Sequence, residues 1–295
     1  MSASKKDDNM IKIMPDEAVL NQWIKDFTFD YDVFYLSEDS TELFKDHLKD
    51  VTILTKKQFF KHTLANDIKY INHYEFWLMD SEVTHLLIAK AGWFETMPAE
   101  LRFRLLDLQL KLKRGFIYPE DILSHSKIDD YTLKNKTILT SRLVDHLTHH
   151  EKEAIHFYGV EEEADNIGVG AKRNTPAHIK AVANSFSTVN GSNCFGAALF
   201  AITEDEKYLT EWVHQDPFLA GLQKNGYEKT PGENRKGDVM VWEDDKGTVR
   251  HACYYLGNGL YFNKSGQKIY NPWKIVSWRE LSDDWNHYNY LIYRK

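Results

Sequence analysis

The sequence predicts an α+β protein, and three observations carry that prediction. Apolar residues at helical spacing run through the chain to about residue 160. Strand and turn signals crowd together after Gly237. Between them a polar loop, Gly191-Ser192-Asn193, runs straight into an apolar stretch that begins at Cys194. Helices first and an antiparallel meander afterwards is the α+β order.

The elements follow in chain order. Pro15-Asp16-Glu17 opens a helix carrying Val19, Leu20, Trp23 and Ile24 on one face. Asp32 to Leu36 and Val51 to Leu54 read as short strands, and Asp80 to Lys90 as a buried helix. Pro98-Ala99-Glu100 starts a helix with Leu101, Leu105, Leu108 and Leu112 in register, ending near Arg114-Gly115. Ser141 to His156 is rich in histidine (His146, His149, His150, His156). His150-Glu151 opens like the zinc motif H-E-x-x-H, but Ala154 stands at the second ligand position, so a solvated helix face is the reading here. Glu161 to Asn174, acidic and then glycine-containing, reads as a linker. The domain boundary therefore falls near residue 165, with a mostly helical domain at 1–164 and a second domain at 165–295.

Thr175-Pro176 then caps a helix through about Ala183, and a helix from Glu206 to Lys224 is interrupted near Pro217. Gly237 to Trp242 is a strand, Asp244-Asp245-Lys246-Gly247 a turn, and Val249 to Leu256 the next strand. Asn258-Gly259 makes a tight hairpin into Leu260-Tyr261-Phe262-Asn263, and Tyr288 to Tyr293 closes the sheet.

Composition narrows the class. A net charge of −7 argues against a nucleic-acid or anionic-membrane partner. Two cysteines exclude a disulfide framework and point to a reducing compartment. The start, Met1-Ser2-Ala3-Ser4-Lys5-Lys6, has no apolar h-region, and no segment approaches about 20 consecutive apolar residues. The expected location is the cytoplasm, or release by a route that needs no signal peptide. No metal or cofactor is called for, and the oligomeric state is left open.

The chemistry centres on Cys194. A thiol at a helix start meets unpaired N–H groups and the positive end of the helix dipole, both of which favour a thiolate. His251 lies on the strand after the turn, and Asn263 on the neighbouring hairpin strand. His251 is placed to take the thiol proton, with Asn263 holding its other nitrogen. Pairing with an imidazolium would leave the thiol ionised at neutral pH. Cys253, two residues from His251, reads as small core filler, with a redox partner for Cys194 as the alternative. Asp238 reads as a loop cap. Trp212, Trp242 and Trp273 read mainly as core.

From about residue 175 onward the chain resembles the NlpC-type family of papain-like cysteine peptidases. The resemblance rests on Asn193-Cys194-Phe195-Gly196, on Gly237-Asp238-Val239-Met240, on His251 through Gly259, on Asn263, and on Ile275 to Leu281. It implies a nucleophile-bearing helix packed on an antiparallel sheet, and a peptide or protein substrate, often a peptidoglycan-derived peptide. It also implies an upstream oxyanion donor, Asn190 or Ser192, beside the backbone N–H of Cys194. The chain departs from the family in carrying Asn193 for Asp and Phe195 for Ser. The expected activity is amide hydrolysis by Cys194, His251 and Asn263. Acyl transfer or protein deamidation by the same thiol is one alternative, and a catalytically silent peptide- or protein-binding module another.

Overall fold

The computed structural model describes residues 10–49, 51–66, 79, 81–123, 128–162 and 166–295. It has mixed α and β structure with several antiparallel sheets. The chain forms two compact units, one of Met1–Val19 with Gly159–Lys295 and one of Leu20–Tyr158. The first unit thus takes in N-terminal residues that the sequence grouped with the helical half, among them strand β1 (Met10–Lys12).

The Leu20–Tyr158 unit is not mostly helical. Strands β2 (Tyr31–Leu36), β3 (Val51–Thr55) and β4 (His85–Lys90) form an antiparallel sheet in the order β2-β4-β3. Strands β5 (Ile117–Pro119), β6 (Thr132–Leu133) and β7 (Lys136–Ile138) form a second, in the order β5-β7-β6. The helix expected over Asp80 to Lys90 is instead β4, with Asp80 itself outside the described residues. Leu86, Leu87, Ile88 and Ala89 are all buried, as befits a central strand covered on both faces. Such a strand reads as an unbroken apolar run with no period to separate it from a buried helix.

The predicted Leu stripe does form a helix, Ala99–Leu112, which ends where Lys113 turns left-handed at φ 51°. The buried Gln109 on this helix accepts from the Tyr35 N–H and donates to the Tyr35 carbonyl, both at 2.9 Å. One amide thereby satisfies both backbone groups on the open edge of β2.

In the histidine-rich stretch His146, His149 and His150 are exposed, as a solvated face requires, whereas Glu151 and His156 are buried. Thr148 and Glu151 form a reciprocal cap at the start of helix His149–Glu162, and Glu151 is fully buried. His156 is buried against Trp23 and Phe27, and burial lowers its pKa to about 4.

In the other unit, part of the expected linker is strand β8 (Ile167–Val169), which pairs antiparallel with β1. Strands β9 (Glu228–Lys229), β10 (Val239–Glu243), β11 (Val249–Gly257), β12 (Leu260–Lys264), β13 (Trp273–Ser277) and β14 (Asn289–Arg294) build a six-stranded sheet. Its order is β13-β12-β11-β10-β14-β9, antiparallel throughout. Asn258 and Gly259 both have positive φ, 55° and 72°, as a two-residue hairpin turn requires. The buried Asp238 accepts from the Arg235 N–H and pairs with Arg294, so it fixes the loop into β10.

The single helix expected from Glu206 to Lys224 is a 3₁₀ turn, Glu206–Leu209, and a separate helix, Gln215–Lys224. Pro217 lies in the first turn of the latter, where its missing N–H costs nothing. Helix Cys194–Thr203 packs one face of the sheet, with Ala198 and Leu199 against Val239, Val241 and Ala252. The opposite face carries Met240, Trp242, Cys253, Tyr261 and Val276, covered by Leu281 of helix Trp278–Trp285. No helix among the described residues is long and apolar enough to cross a membrane.

Candidate functional site

The helix at Cys194 begins where the sequence placed it. Asn193 is its cap: the side-chain oxygen accepts from the Gly196 N–H at 3.0 Å, and the amide nitrogen donates to the Val213 carbonyl at 2.8 Å. An aspartate could cap the helix but could not donate to Val213, which accounts for asparagine here. Phe195 stacks on Phe218 at 4.6 Å, so the other departure from the family pattern is a core contact. Gly196 is required sterically, because a Cβ there would meet the Tyr208 carbonyl oxygen at 2.7 Å.

Residue Cys194 is 8% exposed. The backbone amides of Ala252 on β11 and of Cys194 and Phe195 at the helix start favour the charged form of its sulfur. Strand geometry explains why the Ala252 amide is available. The Tyr255 N–H bonds Asp238 on the β10 side, so alternation turns the Ala252 N–H away from β10. The ladder from β11 to β12 begins only at Tyr254↔Phe262, two residues beyond Ala252.

His251 precedes Ala252 and projects from the other face of β11, paired in register with Trp242. It is fully buried, 5.5 Å from the Trp242 ring and stacked on Trp285 at 4.2 Å and 8°. Its Nε2 bonds Asn263 Oδ1 at 2.8 Å. A carbonyl oxygen only accepts, so Nε2 carries the proton and the neutral ring presents Nδ1 as a base. Nδ1 is buried with no hydrogen-bond partner among the described residues, and so no hydrogen bond joins His251 to Cys194. The structure brings His251 and Asn263 together and places the thiol one residue away along the backbone.

The electrostatics correct the expected ion pair. Burial pushes the Cys194 thiol up to about 11, against the pull of the backbone donors and of Lys264. Burial also lowers His251 to about 4; its bond to Asn263 opposes this, and the Lys274 ammonium adds to it. The resting pair is a neutral thiol and a neutral imidazole, because neither charge is solvated where it would form.

Asn190 and Ser192, just before the Cys194 helix, are each engaged in hydrogen bonds of their own. Asn190 Oδ1 accepts from the Ile269 N–H at 2.9 Å. Ser192 donates its hydroxyl proton to the Tyr208 carbonyl at 2.9 Å and accepts from the Trp273 indole at 3.4 Å. The proton of Ser192 is thus directed at Tyr208. Cys253 is fully buried in the Met240–Trp242 cluster, the packing role expected for it.

Three neighbours escaped sequence reasoning. Trp285 stacks on the imidazole; its only signal is the stripe Trp278, Leu281, Trp285 on a short helix opened by Ser277. Lys264 and Lys274 are both 1% exposed, and nothing in their sequence context marks a buried lysine. No protein-family model matches the chain, and no curated protein or solved structure is similar to it.

Proposed function

We propose that the protein is a cysteine-dependent amide hydrolase of the papain-like, NlpC type, acting on a peptide or protein. One observation carries the reading. An imidazole fixed by Asn263 at 2.8 Å presents a buried, unpartnered Nδ1, and the next residue along, Ala252, packs in one cluster with the helix-start Cys194.

In this reading His251 Nδ1 takes the thiol proton, and Cys194 Sγ attacks the substrate carbonyl carbon. The C–N bond breaks as His251 returns the proton to the leaving amine. Water, activated by the same imidazole, then cleaves the thioester. The Ala252 N–H and the amides of the helix start stabilise the thiolate, and the N–H of Cys194 serves the oxyanion. The buried neutral pair makes activation dependent on substrate: binding must bring Nδ1 to the thiol. An acidic chain with two free thiols suits a reducing compartment.

The test is incubation of defined peptide pools, including peptides with D-residues and wall-peptide crosslinks, with mass-spectrometric readout. Hydrolysis adds one water across a cleaved bond, whereas deamidation exchanges an amide for an acid without cleavage. Turnover by the wild type that is absent in Cys194→Ala and His251→Ala supports the proposal. Turnover that survives in Cys194→Ala removes it.

The burial of Cys194, 8% exposed as a residue, and the absence of a Cys194–His251 bond among the described residues favour one second reading, a silent peptide-binding module. A wild type that binds peptides, cleaves none, and binds them equally well as Cys194→Ala would establish it.

A further inference from the structure

We infer that Lys264 supplies the fixed positive charge that stabilises the Cys194 thiolate, in place of an imidazolium. The inference rests on Cys194 being the nucleophile of the proposed hydrolase, and it specifies how that thiol is activated.

Placement comes first. Phe262 is paired with Tyr254, so Lys264, two residues further, continues toward Ala252, which packs in one cluster with Cys194. Alternation puts Lys264 on the same sheet face as Phe262, the face that packs helix Cys194–Thr203. Lys264 is paired on its other side with Trp273. Its ammonium lies 5.6 Å from the Trp273 ring, and that indole donates to Ser192, two residues before the nucleophile. The ammonium is also held by the carbonyls of Lys268 and Asn271. A lysine anchored in this way cannot swing out to solvent, so its charge stays on the sheet face that packs the Cys194 helix.

The chemistry requires such a charge. His251 is buried on the other face of β11 with the Lys274 ammonium nearby, which disfavours a second positive charge on the ring. A thiolate formed by transient proton transfer therefore needs a cation that is already present. The groups that act electrostatically on the thiol are the Ala252 amide, the helix-start amides, Lys264 and the neutral Cys253. Among these Lys264 alone carries a full charge.

The experiment alkylates the full chain at pH 8 and maps adducts on Cys194 by peptide mass. Lys264→Met is expected to slow iodoacetamide labelling about tenfold, the equivalent of about one pKa unit. Lys264→Arg keeps the charge and is expected to stay within about twofold of the wild type. A folded Lys264→Met that labels as fast as the wild type overturns the inference. The unmodified protein provides a readout independent of variant folding. A nearby ammonium attracts anionic iodoacetate, so the iodoacetate-to-iodoacetamide rate ratio at Cys194 should exceed that of a small free thiol several-fold. A ratio no higher than the free thiol's also overturns it. If labelling follows Lys264 while no peptide is cleaved, the hydrolase reading fails and the lysine's role stands. If peptides are cleaved while labelling ignores Lys264, the outcome is reversed.

Discussion

Acid should unfold the cysteine-bearing unit in a way that a single histidine controls. Burial moves His251 from 6.5 to about 4. Above pH 6.5 both the folded and unfolded chains hold the ring neutral, and its contribution to stability is complete. Below that pH the unfolded chain takes up a proton that the folded site refuses. Stability falls until about pH 4, where the folded site is protonated as well. At about 1.4 kcal/mol per unit the whole loss is on the order of 3 kcal/mol, and about 2 kcal/mol of it is gone by pH 5. Urea unfolding at pH 7 and pH 5 measures this, followed by tryptophan fluorescence because Trp242 and Trp285 flank the ring. His251→Gln removes the titrating group and should lose about 2 kcal/mol less than the wild type over that interval. Equal acid losses in the two proteins would refute the reasoning.

Other predictions follow from neighbouring contacts. Gly196→Ala pushes a methyl group against the Tyr208 carbonyl, and calorimetry should record a loss of about 1–3 kcal/mol. Cys194 should react slowly with iodoacetamide at pH 7 and accelerate about tenfold per pH unit toward pH 11, since burial raises the thiol to about 11; a plateau below pH 8 would contradict its burial. In the Leu20–Tyr158 unit, burial raises Asp32 to about 7. Its contribution is therefore full below about 3.8 and lost progressively as pH rises to about 7, so Asp32→Asn should raise the melting temperature of that unit at pH 7 and by much less at pH 4.

The cysteine-bearing unit was largely legible because its signals are local. A polar cap before an apolar helix, an Asn-Gly turn with both residues at positive φ, and alternating strands depend on neighbours in sequence. The bond between His251 and Asn263 followed from that hairpin, since strands joined by a two-residue turn lie side by side and bring nearby same-face residues within reach. The other unit was less legible. His85 to Lys90 carries no period because both faces are buried, and β1 finds its partner at residues 167–169, far along the chain. The protonation state of the site was not legible at all. A helix start and a nearby histidine both argue for a thiolate; the burial that reverses this comes from Trp242 and Trp285 around His251 and, on the other face, from Val213, Val249 and Ala252 around Cys194, all brought in by packing across the sheet. The same holds for the two buried lysines, which look like surface residues until β12 and β13 are paired.

The central claim is that Cys194 forms a covalent acyl intermediate with a peptide substrate. Acid-quenched single turnover with intact-mass detection tests it most directly, using a peptide found to be cleaved or, failing one, a panel of activated peptide esters. The account predicts a mass increase equal to the acyl fragment, mapped to Cys194, removed by hydroxylamine and absent in Cys194→Ala. An unmodified Cys194 throughout turnover, or an equal adduct on the Cys194→Ala protein, would contradict it.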